Sequence, residues 1–241
     1  MRYPGLDGRG ALTGLGLLRV TAQSLALRWK RPPPPTPVGV ECPRLPGGIT
    51  ARKALRWSEE SSPAWLHAHV LRTYCWARLL GEAVGLKPDD ELLFVACALH
   101  DLGLTDRYAP EPGECFAFAG ARHAQRLLVG EGLPWEWAAR VADAIALHLE
   151  VRVSLRRGIE SKLLHDGAGL DVLGLGTRGI TREAKRAVLR AYSREGLGAP
   201  LAQRLRAAAQ NAPGSRMAFY CRRFDFAGRA ARVRLHEEDA T

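Results

Sequence analysis

The chain is short of several residue types, and each shortage excludes something. Its five cysteines (Cys42, Cys75, Cys97, Cys115 and Cys221) are odd in number and include no C-x-x-C pair. A disulfide framework and a structural zinc site of the usual spacing are therefore not expected. Cys75 and Cys97 fall inside apolar helical patterns, where a free thiol behaves as a small hydrophobe. That usage points to a reducing compartment, and a cytoplasmic location is the expectation. No apolar run approaches the roughly 18–20 residues needed to span a bilayer, so no transmembrane segment is expected. Arg19 interrupts Leu15–Val20 before a signal-peptide-like apolar region can develop. Lysine is scarce too: 30 of the 35 basic residues are arginine, scattered from Arg2 to Arg234 with no dense run. The net charge of +10 therefore lacks the concentrated stripe, or the interleaved stacking aromatics, of a nucleic-acid binder. Nucleic acid is not the expected partner.

What is present is ordinary globular composition, 46% hydrophobic and 25% charged, over 241 residues. That suffices for one helical core with extra segments at the ends. Residues 11–29 carry Leu12, Leu15, Leu18, Leu25 and Leu27 at loose helical spacing, which predicts an amphipathic helix packed on the core. Arg31-Pro-Pro-Pro-Pro-Thr-Pro37 cannot be helical and reads as a stiff extended spacer. With the loop up to Gly48, residues 1–56 are expected to be an N-terminal appendage. From Ser61 the pattern sharpens, with Ser61 or Ser62 to cap a helix and Pro63 suited to its first turn. Leu66, His69, Thr73, Ala77, Leu80 and Val84 then share one face. Further helices are predicted over Asp89–Leu102, Phe118–Gly130, Trp135–Val151 and Glu160–Leu173, with weaker ones at Thr181–Glu195 and Pro200–Gln210. Short connections make these a bundle, so the fold class is all-α over residues 57–212. Trp65, Trp76, Trp135 and Trp137 occupy helical positions expected to be core. In the 213–241 tail, Phe219, Phe224, Phe226 and Val233 alternate as short strands would.

Three histidines stand where apolar residues belong. His69 is on the buried face of its helix, and His148 follows Val141, Ala144 and Ile145 at helical spacing. His100 ends the run Leu92-Leu-Phe-Val-Ala-Cys-Ala-Leu99, and Asp101 follows it directly. A buried acid needs a partner, and a divalent ion satisfies imidazoles and carboxylates together. Neighbours in a helix point about 100° apart, but at the last turn a long imidazole and a short carboxylate can converge, and Gly103 frees the backbone beyond.

This dyad, with a His on the preceding helix and an Asp on a later one, resembles the HD superfamily across residues 57–175. The resemblance implies His69, His100, Asp101 and Asp171 as metal ligands. The text is similar to the cyanamide hydratase-like branch in His69-Val-Leu-Arg-Thr-Tyr74, Leu99-His-Asp-Leu-Gly103, Phe116 to Ala121, Ala144-Ile-Ala-Leu-His148 and Gly167-Ala-Gly-Leu-Asp-Val-Leu-Gly174. One departure is Ala117, where that branch carries Glu. A second His-Asp pair, His165-Asp166, makes Asp166 the rival of Asp171; it lacks an apolar lead-in and reads as partly exposed. Other branches place two histidines between the dyad and the last Asp to hold a second metal, and here His123 and His148 lie in that interval.

The function implied is a metal-dependent hydrolase or hydratase adding metal-activated water to a small molecule, cyanamide- or nitrile-like. Zinc is the first choice of ion, with iron and manganese as alternatives. Asp101, His148 and Arg72 are the catalytic candidates: Asp101 to ligate and steer water, His148 to carry a proton, Arg72 to touch substrate. A phosphohydrolase acting on a nucleotide or other phosphoester is the main alternative. A di-iron oxygenase using His69, His100, Asp101, His123, His148 and Asp171 is a further one, and a homo-oligomer stays open.

Overall fold

The structure, a computed structural model, describes residues 3–26 and 38–235. Among these residues it is all-α, with eleven α-helices and no strand. They are α1 (Gly14–Ala26), α2 (Ile49–Ser61), α3 (Ala64–Ala83), α4 (Asp90–Leu99), α5 (Phe116–Gly130), α6 (Trp135–Leu147), α7 (Ile159–Leu173), α8 (Arg182–Ala191), α9 (Gly198–Asn211), α10 (Arg216–Phe224) and α11 (Phe226–Arg232). No described helix is long and apolar enough to cross a membrane.

The apolar run from Leu92 to Leu99 becomes α4, the central helix, every one of those eight side chains buried. Asp89 caps it by accepting from the Leu92 amide, with Asp90 and Glu91 in the first turn on the positive end of the helix dipole. A helix apolar on all sides must be surrounded, and α2, α3, α6 and α7 all pack on α4. The close α3–α7 pair rests on Gly167, where a Cβ would sit 2.4 Å from the Thr73 carbonyl oxygen. Gly103 plays the same part after α4: its Cβ would meet the Phe116 carbonyl oxygen at 2.1 Å, so glycine lets the start of α5 press on the turn behind the dyad.

Four expectations are corrected. The boundary at residue 57 falls inside α2, whose Ala51 and Ala54 belong to the main core; small residues gave this short amphipathic stretch little signal. The 213–241 tail forms helices rather than strands where described. Ser215 caps α10 by accepting from the Ala218 amide, and Asp225 at φ 47° breaks the chain before α11. The apparent alternation comes from two helices joined at that residue. The first helix is docked by Val20 against Phe219 and Tyr220, with Leu12 just before it packed on the same cluster, while Leu15 and Leu18, expected on the packed face, are exposed. Trp76 is buried as expected, but Trp135 opens α6 in solvent. The proline-rich run and Trp29 lie outside the described residues.

Candidate metal centre

Two helices end in the site. His100 is the C-cap of α4 and His148 the C-cap of α6. Each donates its Nδ1 proton to the carbonyl three residues back, His100 to Cys97 (2.7 Å) and His148 to Ile145 (2.6 Å). Both carbonyls lie in the last turn, where a helix end leaves carbonyls short of intrahelical partners; that of Ile145 also accepts from the His148 amide at 3.3 Å. Filling them fixes the ring, and because a carbonyl only accepts, it also fixes the proton on Nδ1. The third histidine, His69 on α3, donates Nδ1 to Asp171 Oδ2 at 2.7 Å. In the neutral form each of the three rings therefore carries its lone pair on Nε2.

Those lone pairs converge on Asp101. Its Oδ2 is 3.4 Å from His69 Nε2 and 3.3 Å from His100 Nε2, and its Oδ1 is 3.8 Å from His148 Nε2. Asp101 reaches this position because the backbone leaves the helix there (φ −106°, ψ 16°), so the 100° separation of helical neighbours does not apply. The rings of His69 and His100 are 5.2 Å apart and those of His100 and His148 5.1 Å. His69, His100 and Asp101 are buried, their donor atoms within 4.8 Å of one another, a group that could hold a metal ion. Donors about 2.1 Å from a tetrahedral ion are about 3.4 Å apart, which matches the two short edges. The C-terminal ends of α4 and α6 add negative potential, which favours a cation.

The titration of the site agrees. Burial pushes His100 down, and it holds His148 down to about 3, so both rings stay neutral. Burial opposes charging His69 too, but bonds to Asp101 and Asp171 outweigh it and raise its pKa. Burial likewise disfavours the Asp101 carboxylate, yet the surrounding histidines keep it well below the usual carboxylate range. The two carboxylates thus make the His69 position favourable to positive charge.

Asp171 is fully buried on α7, and its oxygens are already in use. Oδ1 accepts from Arg72 Nε (2.8 Å) and Trp76 Nε1 (2.8 Å); Oδ2 accepts from Arg72 Nη2 (2.9 Å) and His69 Nδ1. Four donors match the roughly four lone-pair sites of a carboxylate. Arg72 is equally committed, its Nη1 donating to the Ser193 carbonyl. The expected substrate contact is thus found in the interior, gripping Asp171. Arg194, from beyond α8, donates to the Asp171 carbonyl oxygen at 2.9 Å.

Other expected residues stand apart. His123 packs its ring on Tyr108 (5.2 Å), and Arg122 and Arg126 lie near enough to act on its charge. Asp166 pairs with Lys162 one turn away at the surface of α7. Its neighbour His165 instead turns inward and meets the His148 carbonyl at 3.0 Å. Ala117 is buried beside Phe116, whose ring lies 5.8 Å from His148. The docking of α9 beside the site, and the two helices that follow it, were not read from the sequence. Leu201 and Leu205 of α9, Met217 of α10 and Ala230 of α11 join Leu66 and Phe116 in one apolar cluster. Arg216 of α10 is fully buried, bonded to Glu150 (2.9 Å) and the Ala146 carbonyl (2.7 Å). An arginine amid surface-like sequence carries no signal of burial; the Ser215 cap was its one legible mark.

The HD domain family matches residues 66–188, just over half of the chain. The chain belongs to the HD domain family. No curated protein matches it. An HD domain with a His-His-Asp cluster of this kind suggests a metal-dependent hydrolase.

Proposed function

We propose that this HD domain is a hydrolase or hydratase that adds water to a small, neutral or weakly polar molecule at a single divalent ion, with zinc the best fit. The observation that carries the reading is the convergence of three Nε2 lone pairs on one buried carboxylate, every Nδ1 proton being held by a fixed acceptor. Imidazole and carboxylate together suit zinc, and three protein donors with an open position are the usual catalytic arrangement. His69, His100 and Asp101 would hold the ion. When bound, it supplies Lewis acidity that makes water nucleophilic near neutral pH.

The rest falls to the chain. Asp171 keeps the His69 proton on Nδ1, so Nε2 stays available, and Arg72 and Trp76 keep Asp171 still. Such outer partners commonly change metal affinity about 10–100-fold. His148 Nε2, 3.8 Å from Asp101 Oδ1, would accept a hydrogen bond from the attacking water and orient it. Leu66 and Phe116 beside these histidines limit competing water and favour a substrate without formal charge.

That apolar setting supports the first hydrolytic reading over the phosphohydrolase. A phosphoester needs Arg or Lys for its oxygens, and Arg72 and Arg216 are consumed by Asp171 and Glu150. The oxygenase reading needs His123, which sits with Tyr108 instead. The motif resemblance to the cyanamide hydratase-like branch supports nitriles and cyanamide as first substrates, with Ala117 the departure to bear in mind. The test is a panel of cyanamide and simple nitriles against nucleotide mono-, di- and triphosphates, with zinc, manganese or iron. Turnover of cyanamide or a nitrile supports the proposal, and turnover of nucleotides alone replaces it with a phosphohydrolase. In the first case His148→Ala keeps the ion and loses turnover.

A further inference from the structure

Segment 38–48 crosses the outer face of α3 before entering α2. Val38 pairs with Ile180, Gly39 lies against Leu79, and the Arg44 carbonyl accepts from the Tyr74 hydroxyl at 3.2 Å. Under this strap two thiols meet, Cys42 Sγ and Cys75 Sγ at 3.5 Å. Cys75 is fully buried on α3, next to Trp76 and one turn beyond Arg72, whereas Cys42 is only half-buried. The hydrolytic chemistry uses neither.

We propose that Cys42 and Cys75 are an oxidation site, a dithiol that peroxide converts to an intramolecular disulfide tying the strap to α3. Sulfur atoms in a disulfide are about 2.05 Å apart, so closure needs an approach of about 1.5 Å. The strap supplies it, being held by few regular backbone bonds, with Gly39 at φ 87° just ahead of Cys42. The two thiols divide the work by environment. The hydrogen bond from Cys75 favours the Cys42 thiolate, while that same bond and burial push Cys75 far up. The thiolate is the nucleophile toward peroxide, so Cys42 attacks first. Its sulfur takes one peroxide oxygen, giving a sulfenic acid, and the departing hydroxide takes a proton to become water. Cys75 sulfur then displaces the sulfenic oxygen, which leaves as water with the Cys75 proton. Two thiols are oxidised by two electrons and one hydrogen peroxide is reduced to two waters.

The other cysteines act as internal controls. Cys97 and Cys115 are buried, and Cys221 lies against Met217 Sδ at 3.8 Å, not against a thiol. The experiment treats the full-length protein with hydrogen peroxide at a few equivalents, blocks free thiols, digests without reductant and maps linked peptides. The expected result is one linkage, Cys42 to Cys75, with loss of two hydrogens, reversal by dithiothreitol and a Tm raised by several degrees. Cys42→Ser should abolish the linkage while leaving the fold, because Cys42 is only half-buried and serine nearly matches it in size. Oxidation of the wild-type protein to unlinked sulfenic or sulfinic acid at Cys42, or a linkage of Cys75 to another cysteine, would overturn the proposal.

Discussion

Replacing Asp171 by Asn keeps the size of the side chain and removes its charge, which isolates what the carboxylate does. Asp171 is 0% exposed, as is Arg72. Four donors reach its oxygens, from His69, Arg72 twice and Trp76. Asn offers one acceptor oxygen, so its amide NH2 must face donors and the guanidinium loses its anion. Breaking a buried pair from one side costs about 3–5 kcal/mol, because the remaining charge stays buried. At about 2–4 °C per kcal/mol for a chain of this size, Tm should fall on the order of 10 °C. The assay is thermal and urea unfolding in the presence of a chelator, which removes any contribution of bound metal. Asp166→Asn is the internal comparison, since Asp166 makes only an i,i+4 pair with Lys162 and should change stability by about 0.5 kcal/mol or less. An Asp171→Asn protein as stable as the Asp166→Asn protein would refute the clamp, and with it the account of how His69 is oriented.

Gly103→Ala should destabilise by about 2 kcal/mol or more and disturb the dyad, since the new Cβ would press on backbone 2.1 Å away at Phe116. Gly130→Ala, with open space around it, is the matched control, and equal urea midpoints would contradict the packing. Acid should destabilise the metal-free protein. The unfolded chain protonates His148 near 6.5 while the folded chain does not until about 3, so its contribution is present above 6.5 and lost as pH falls towards 3, at most about 5 kcal/mol. His69, raised by its two carboxylates, contributes in the opposite sense and blunts the slope. His148→Leu should flatten the pH dependence of Tm between 6.5 and 3, and an unchanged slope would show that His148 is not held neutral. His123→Ala should leave metal content unchanged, because that ring sits with Tyr108.

The bundle was legible where apolar periodicity was long. The eight-residue run before His100 read as a fully surrounded element, taken as a helix with Asp89 ahead of it and Gly103 beyond, and His69 and His148 stood out as polar residues on apolar faces. The convergence of His100 and Asp101 was also readable, since it needs only the end of a helix and a glycine beyond. What Asp171 touches was not, because a carboxylate on a buried face satisfies an ion and a guanidinium equally well in one dimension. Arg72 and Trp76 follow His69 by three and seven residues, the same helical face, and that spacing was the available hint of a shared partner. The last two helices, α10 and α11, and the docking of α9 at the site were illegible for another reason. Their burial depends on long-range docking, with Arg216 on Glu150 and Leu201 near Leu66, and neither sequence neighbourhood records its partner.

The central claim is that His69, His100 and Asp101 hold one divalent ion. Zinc should be titrated into chelator-stripped protein, with affinity and stoichiometry measured for the wild type and for His69→Ala, His100→Ala and Asp101→Ala. The account predicts one ion per chain in the wild type, lost in each variant. A wild type that binds no ion, or three variants that bind it as the wild type does, would contradict the account.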